Sequence, residues 1–235
     1  MAKKNKEISS SNLIKVKPIT EGQKSVFETW KKGQNQFLFG FAGTGKTFIS
    51  LYLEMQDVLD LKTKYDKVIL VRSLIPTREI GFLPGDEEDK AALYQVPYQN
   101  MVKFMFEQPN EQAFNMLYDR LKNQGSLYFL STSFLRGLTF DNSIIIVDEC
   151  QNLNFHELDT ITTRVGQDSK IVFCGDFSQT DLVKQNEKNG LHDFLRILME
   201  MQEFNCVEFN IGDIVRSGFV RNYLIQKTKL GMGME

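Results

Sequence analysis

Residues 40–47 carry the strongest local pattern in the chain, because they read GFAGTGKT and fit G-x-x-x-x-G-K-[ST]. They follow the apolar stretch QFLFG and precede FISLYLEMQDVL, whose apolar residues have helical spacing. Glycines let successive backbone N–H groups turn towards phosphate oxygens, and the dipole of the following helix attracts the same charge. Lys46 is expected to reach the β- and γ-phosphates of a nucleotide, and the Thr47 hydroxyl to bind Mg²⁺. The flanking strand and helix disfavour the alternative, a glycine-rich turn without a ligand.

Two adjacent acids, Asp148 and Glu149, end a second apolar stretch in SIIIVDECQN. A carboxylate at the end of a buried strand can hold the water shell of Mg²⁺, which is the role expected of Asp148. Glu149 is expected to point into the crevice and to orient a water molecule for attack on the γ-phosphate. The alternative is that Asp148 caps the next helix and that Glu149 is solvated. An Asp-Glu pair favours hydrolysis over phosphate transfer to a substrate hydroxyl.

A third apolar stretch, KIVFCGD (170–176), also ends in an acid, Asp176, and is followed by Ser178 and Gln179. In P-loop architectures with the extra glutamate, one more strand lies between the loop strand and the Asp-Glu strand. Residues 170–176 are predicted to form it. Gln179 would then lie beside the γ-phosphate, where an amide can bind both the phosphate and the attacking water, because it donates and accepts hydrogen bonds. The alternative is that Gln179 is a solvated loop residue.

Gln23 lies upstream in PITEGQK and has two interpretations. Thr20-x-x-Gln23 fits a capping box, in which the glutamine side chain reaches back to the backbone at the start of a helix. The same amide can also pair with N6 and N7 of adenine. The local pattern favours neither interpretation.

Six apolar stretches must position these groups, and helical patterns separate most of them. Strands rich in Ile and Val without polar alternation are buried on both faces, as in a parallel sheet covered by helices. We therefore expect an α/β fold, a three-layer P-loop NTPase with a mostly parallel sheet. A disordered basic tail over residues 1–17 should precede one domain over residues 18–235. The predicted strands are QFLFG (36–40), KVILVR (67–72), SLYFLS (126–131), SIIIVD (143–148), KIVFCGD (170–176) and CVEFN (206–210).

The composition narrows the class of protein. With 28 Lys and Arg against 30 Asp and Glu, the formal net charge is −2, which excludes a uniformly basic nucleic-acid-binding protein. The three widely spaced cysteines, Cys150, Cys174 and Cys206, are expected to be free thiols, mostly buried, in a reducing compartment. The start lacks the apolar run of a signal peptide, and no stretch approaches the ~18 apolar residues of a membrane span. We therefore expect a cytoplasmic protein with no membrane contact.

Seven motifs occur in the order typical of the PhoH-like family, which the chain resembles over roughly residues 18–228. They are GFAGTGKT, VRSLIP, GFLPGD, FLRGLTF, IIIVDECQN, CGDFSQTD and DIVRSGFVRNYL. The resemblance implies a RecA-like core of superfamily 1 helicase type, with ATP and Mg²⁺ as cofactors. It implies ATPase activity and is compatible with RNA helicase activity. The chain departs from the family pattern at Leu138, Cys150 and Ser217, where arginine, alanine and histidine are expected.

The resemblance also implies roles for individual residues. Gln23 would read adenine, Glu149 would activate water, and Gln179 would sense the γ-phosphate. The candidate nucleotide-binding residues are Gln23, Gly40, Ala42, Gly43, Thr44, Gly45, Lys46, Thr47, Phe48, Arg136 and Arg221; the candidate catalytic residues are Lys46, Glu149, Gln179 and Arg216; the candidate metal ligands are Thr47 and Asp148.

The chain has one P-loop, whereas helicases of this type close ATP between two cores, with an arginine from the second core completing the site. The resemblance therefore implies a homo-oligomer, a hexameric ring, in which Arg216, Arg221 or Arg136 reaches the nucleotide of a neighbour. For each arginine, the alternative is a surface ion pair.

Two functions stay open at this point. One is an Mg²⁺-dependent oligomeric ATPase that couples turnover to single-stranded nucleic acid, RNA more than DNA. The other is an ATP-switched regulatory or assembly factor that binds protein partners without motor activity. The Asp-Glu-x-Gln and Gly-Asp-x-x-Gln motifs favour the first function. The near-neutral charge and the departures at Leu138 and Ser217 favour the second.

Overall fold

The computed structural model describes residues 6–73, 87–132, 135, 137–177 and 190–230. The chain divides into two compact units. The predicted domain boundary at residue 18 stays a prediction. Unit 1 comprises Met1–Val16, Leu51–Val147 and Thr160–Ile171, and unit 2 comprises Lys17–Ser50, Asp148–Asp159 and Val172–Glu235.

Six strands form one sheet in the order β3-β2-β4-β5-β1-β6, and the described strand pairs are parallel. The predicted α/β fold is therefore confirmed. β5 lies between β4 and β1, as predicted for residues 170–176 and as expected of a RecA-like core. The observed bounds lie within two residues of the predicted ones: β1 Asn35–Gly40, β2 Lys67–Arg72, β3 Leu127–Ser131, β4 Ser143–Val147, β5 Lys170–Gly175 and β6 Phe204–Phe209.

Polar side chains cap the starts of at least three described helices, one of them through Asn154 Oδ1, which accepts a hydrogen bond from Glu157 N at 3.0 Å. Thr20 Oγ1 accepts a hydrogen bond from the backbone N of Gln23 at 3.3 Å, and Asn110 Oδ1 accepts one from Ala113 N at 2.9 Å. The α-helices of the described residues are α1 Glu21–Lys31, α2 Lys46–Leu59, α3 Glu87–Met105, α4 Glu111–Asn123, α5 Phe155–Thr162, α6 Leu191–Glu200 and α7 Gly218–Lys229.

Unit 1 contains β2 between β3 and β4, and it also includes residues that we predicted to be a solvated tail. Ile8 and Leu13 are buried, and the backbone N of Ile14 donates to Met105 O at 2.9 Å. Residues 6–16 therefore differ from the prediction for residues 1–17. The burial of apolar side chains offsets the cost of ordering this segment, whose lysines and serines resemble those of a disordered tail.

Unit 2 contains β1 between β5 and β6 and is packed with aromatic rings. Phe37 pairs in register with Phe173, and their ring centroids lie 5.7 Å apart. Phe39 stacks on Phe177 at 5.6 Å. These contacts join β1 to the segment that follows β5, so the ends of both strands are held by one core.

The described helices include none that is long and apolar enough to cross a membrane.

Candidate nucleotide site

The loop of residues 40–47 joins the end of β1 to the start of α2, as the motif predicted. Gly40 has φ 123°, and a Cβ atom there would lie 2.1 Å from the carbonyl oxygen of Phe209. Gly43 has φ 74°, and a Cβ atom there would lie 2.8 Å from Arg216 Cγ. Only glycine fits both positions, because any side chain meets an atom of the neighbouring segment.

The side chain of Lys46 is only 4% exposed, and contacts within the chain hold its ammonium group in place. Its Nζ donates to Phe41 O at 2.7 Å and forms an ion pair with Asp176 Oδ1 at 2.8 Å. A buried ammonium group needs such an opposite charge, because desolvation alone is costly. The sequence pattern gave Asp176 no role of its own. The structure brings this acid at the end of β5 onto the phosphate-loop lysine.

Thr47 and Asp148 meet although they are 101 residues apart, with Thr47 Oγ1 donating to Asp148 Oδ1 at 2.8 Å. Among the described residues, no cluster of three or more His, Cys, Asp or Glu side chains could hold a metal ion by itself. Mg²⁺ needs no such cluster, because it takes one or two protein oxygens together with phosphate and water oxygens. The hydroxyl and the carboxylate therefore fit the predicted metal ligands.

Glu149 has a left-handed backbone conformation, with φ 53° and ψ 39°, which is strained for a side chain of this size. Its Oε2 accepts a hydrogen bond from Gln151 Nε2 at 2.7 Å. Gln151 Oε1 in turn accepts one from the backbone N of Asp176 at 3.1 Å. Gln151 therefore orients the carboxylate that we assigned to water activation. The sequence analysis included this glutamine in the Asp-Glu-x-Gln motif but assigned it no role of its own.

A small cavity of about 30 Å³ brings most of these groups together, and its volume is sufficient for a water molecule. It lies where the Asp-Glu strand end, the end of β5 and the phosphate loop converge. The lining residues are Lys46, Thr47, Asp148, Glu149, Cys174, Gly175 and Asp176.

Cys150 lies directly after the two acids and is fully buried. Burial raises the pKa of its thiol well above the ordinary value, and the carboxylates of Asp148 and Glu149 raise it further. The thiol therefore stays protonated and acts as a packing group rather than as a nucleophile. Cys150, Cys174 and Cys206 are all free, as expected.

Gln23 uses both ends of its buried amide within the chain. Its Oε1 accepts a hydrogen bond from Ile19 N at 2.9 Å, and its Nε2 donates to Thr44 O at 3.0 Å. The first contact resembles the predicted capping box, in which the glutamine would accept from the backbone N of Thr20, but its donor is the preceding residue, Ile19. The second joins the start of α1 to the phosphate loop. Adenine recognition by the same amide stays a prediction.

Asp213 provides a second link to the start of α1. Its Oδ1 accepts a hydrogen bond from Gly22 N at 2.9 Å, and its Oδ2 accepts one from Asn210 N at 2.8 Å. The turn after β6 is thereby fixed against α1. Val215, two residues further on, donates its backbone N–H to Gly43 O at 3.0 Å. The turn after β6 therefore also reaches the phosphate loop.

Arg216 follows this contact, and its side chain lies so close to Gly43 of its own chain that it leaves no room for a Cβ atom there. In the single chain this side chain therefore lies over its own loop. That it reaches the nucleotide of a neighbour stays a prediction. Arg221 is exposed on α7. Arg136 and Gln179 lie outside the described residues. Of the remaining candidates, Ala42 is exposed, Gly45 and Phe48 are half-buried, and Thr44 is buried.

The chain is similar to known proteins along most of its length. The family model described as PhoH-like protein matches residues 15–226. Protein PhoH2 of Bacillus subtilis is 36% identical over 145 residues, which cover 61% of this chain and 32% of that relative. The PhoH-like protein of Synechocystis sp. is 31% identical over 207 residues, which cover 88% of this chain and 60% of that relative. The chain thus spans less than two thirds of each relative's length.

A solved structure, that of the large terminase from a thermophilic bacteriophage, aligns with a TM-score of 0.49 and 12% identity, over 90% of this chain and 50% of the terminase chain. The family model, in contrast, covers the phosphate loop, both acids and the segment of Arg216. This chain therefore belongs to the PhoH-like protein family.

Proposed function

We propose that this chain hydrolyses ATP in an Mg²⁺-dependent reaction. The observation that carries the proposal is the contact of Thr47 Oγ1 with Asp148 Oδ1 at 2.8 Å, because a P-loop ATPase holds its metal ion at this pair. Membership of the PhoH-like family and the conformation of the loop support an ATPase-type function.

Each side chain of the site has a separate role in the proposed hydrolysis. Thr47 and Asp148 would hold Mg²⁺, which when bound neutralises charge on the β- and γ-phosphate oxygens. Lys46 supplies a second positive charge beside them. Glu149 orients the attacking water and takes its proton, and the hydrogen bond from Gln151 holds that carboxylate in place.

The coupled process is part of the same proposal: ATP turnover drives movement on single-stranded nucleic acid, RNA more than DNA, in a homo-oligomeric, hexameric ring. The order of the helicase-type motifs supports it. The alternative is an ATP-switched factor that binds protein partners without motor activity. A net charge of −2 favours this alternative, because it provides no general attraction for a polyanion.

The test is ATP turnover by the wild-type protein, Lys46→Ala and Glu149→Gln, each with Mg²⁺ and with a chelator. Glu149→Gln should bind ATP yet hydrolyse it about 10²- to 10⁴-fold more slowly, because it keeps the shape of the side chain and loses the base. Lys46→Ala should lose nucleotide binding. A wild-type rate for Glu149→Gln would show that the role given to Glu149 is wrong.

The same assay with single-stranded RNA and DNA oligonucleotides of equal length separates the two functions. Stimulation of turnover by RNA more than by DNA supports the coupled ATPase. Turnover that is indifferent to both supports the ATP-switched factor. A mass measurement of the assembled protein tests the ring independently of hydrolysis.

A further inference from the structure

Helix α7 in unit 2 exposes large apolar side chains together with basic ones. Phe219 is 83% exposed and Tyr223 is 59% exposed, and their spacing of four residues puts them on the same helix face. The helix reads GFVRNYLIQKTK, with three basic residues and no acidic residue. An isolated helix of 12 residues is marginal in water, so packing against a partner would add to its stability.

A groove of about 570 Å³ lies elsewhere in unit 2, along α6 and the start of α5. Its apolar lining includes Phe155, Ile197 and Met199, of which the last two are 50% and 59% exposed. Asp193, Arg196 and Glu200 line the same groove, so its charged side chains carry one net negative charge. Exposed apolar side chains in a concave surface are typical of binding sites for another apolar surface.

The two surfaces are complementary in charge as well as in polarity. The charged residues that line the groove are two acids and one arginine, whereas α7 carries only basic charges. Opposite charges around an apolar contact fix its register and suppress wrong partners.

We propose that α7 of one copy docks in the α6 groove of a second copy, with Phe219 and Tyr223 inserted against Ile197 and Met199. The helix and the groove are different surfaces of one chain, so the contact is head-to-tail and generates a closed ring when the rotation closes. This inference rests on the proposed ring and names the surfaces that would build it. A nucleic-acid strand would fit the basic helix and its aromatic rings, but it would leave the acidic, apolar groove without an occupant.

The experiment uses the full chain and three single variants. Phe219→Asp places a charge on the docking face of the helix, and Ile197→Asp places one in the apolar lining of the groove. Met116→Asp is the control, since Met116 is an exposed apolar residue of α4 in unit 1. Analytical ultracentrifugation over a concentration series should show that either docking variant weakens assembly at least tenfold, the scale of an interface anchor. Met116→Asp should assemble like the wild type. Circular dichroism checks that all the variants fold.

Mixing the two docking variants gives the sharper result. Phe219→Asp keeps an intact groove and Ile197→Asp keeps an intact helix, so a head-to-tail contact allows one interface per pair and yields a heterodimer that grows no further. Wild-type assembly by folded Phe219→Asp protein would overturn the proposal while leaving the ring in place. Loss of binding to single-stranded RNA with unchanged assembly would assign α7 to nucleic acid instead. A monomeric wild type would overturn both docking and ring, whereas the ATPase assay would still decide the hydrolysis.

Discussion

Lys46 is the residue on which the proposed chemistry depends, and it is already held by an acid. The ion pair with Asp176 at 2.8 Å occupies the ammonium group that the phosphates of ATP need. Asp176 also repels a nucleotide by its own negative charge. We therefore expect the acid to influence the affinity for nucleotide as well as the position of the lysine.

Asp176→Asn should bind ADP more tightly than the wild type, because the lysine loses a competing partner. Asp176 is exposed, so the effect is limited to the range of a surface ion pair, up to about 1 kcal/mol or roughly fivefold in Kd. Isothermal titration calorimetry measures it. The matched control is Asp168→Asn, which breaks the exposed pair of Asp168 with Lys64 in unit 1. Weaker ADP binding by Asp176→Asn would show that the acid helps to bind nucleotide.

At the scale of elements, Gln23 ties α1 to the phosphate loop through its contact with Thr44 O. Gln23→Ala leaves that buried carbonyl and Ile19 N without their partner, which should lower the free energy of unfolding by about 1–3 kcal/mol. Affinity for ATP and GTP should fall together, since the loop itself is loosened. Urea denaturation and Kd values for both nucleotides check this, with Gln34→Ala as the control, since the amide of Gln34 makes an exposed hydrogen bond. A selective loss of ATP affinity would instead support adenine recognition.

Helix α2 carries a buried acid, Glu54, whose two carboxyl oxygens have no hydrogen-bond partner among the described residues. Burial raises its pKa well above the ordinary value of 4.5; nearby Lys170 opposes the rise and Asp57 adds to it. The folded state therefore binds the proton more tightly than the unfolded state. The contribution of protonated Glu54 to the stability of the folded state is complete below pH 4.5, and it is lost as the pH rises through the raised pKa.

Glu54→Gln should remove this pH dependence while keeping the shape of the side chain. Relative to the variant, the wild type should lose about 1.4 kcal/mol of unfolding free energy per pH unit between the two pKa values. Denaturant unfolding at several pH values from about 4 upwards measures the difference, and Glu203→Gln is the exposed control. Parallel curves for the wild type and Glu54→Gln would contradict the raised pKa.

The elements could be predicted from the sequence more fully than the contacts at the site. Uninterrupted apolar runs such as SIIIV and KIVFC are typical of buried parallel strands, so the strand bounds were predictable from them. The place of β5 followed instead from the architecture that the phosphate loop and the Asp-Glu pair indicate. The pair of Lys46 with Asp176 and the position of Arg216 over Gly43 were not. They depend on how three loops from distant parts of the chain approach one another, which no local pattern encodes.

At the scale of the whole molecule, the turn after β6 would link the proposed assembly of copies to the proposed binding of nucleotide. Val215 holds the phosphate loop through Gly43 O, and α7 begins three residues later at Gly218. A second copy docked on α7 would therefore act on the segment that touches the loop. Assembly and nucleotide binding should be linked reciprocally, since each changes the affinity for the other by the same factor.

Arg216 decides whether a neighbour also completes the chemistry. Its side chain lies against Gly43 of its own loop, and a guanidinium group there can bind phosphate oxygens of the nucleotide held by the same chain. A mixture of Lys46→Ala with Arg216→Ala subunits should then stay inactive, because every chain lacks one of two groups that must act on the same nucleotide. Subunit exchange, followed by fluorescence energy transfer between labelled chains, confirms that mixed assemblies form. Recovery of ATP hydrolysis on mixing alone would show that Arg216 acts on the neighbour's nucleotide, since only then does a mixed assembly contain sites with an intact loop and an intact arginine.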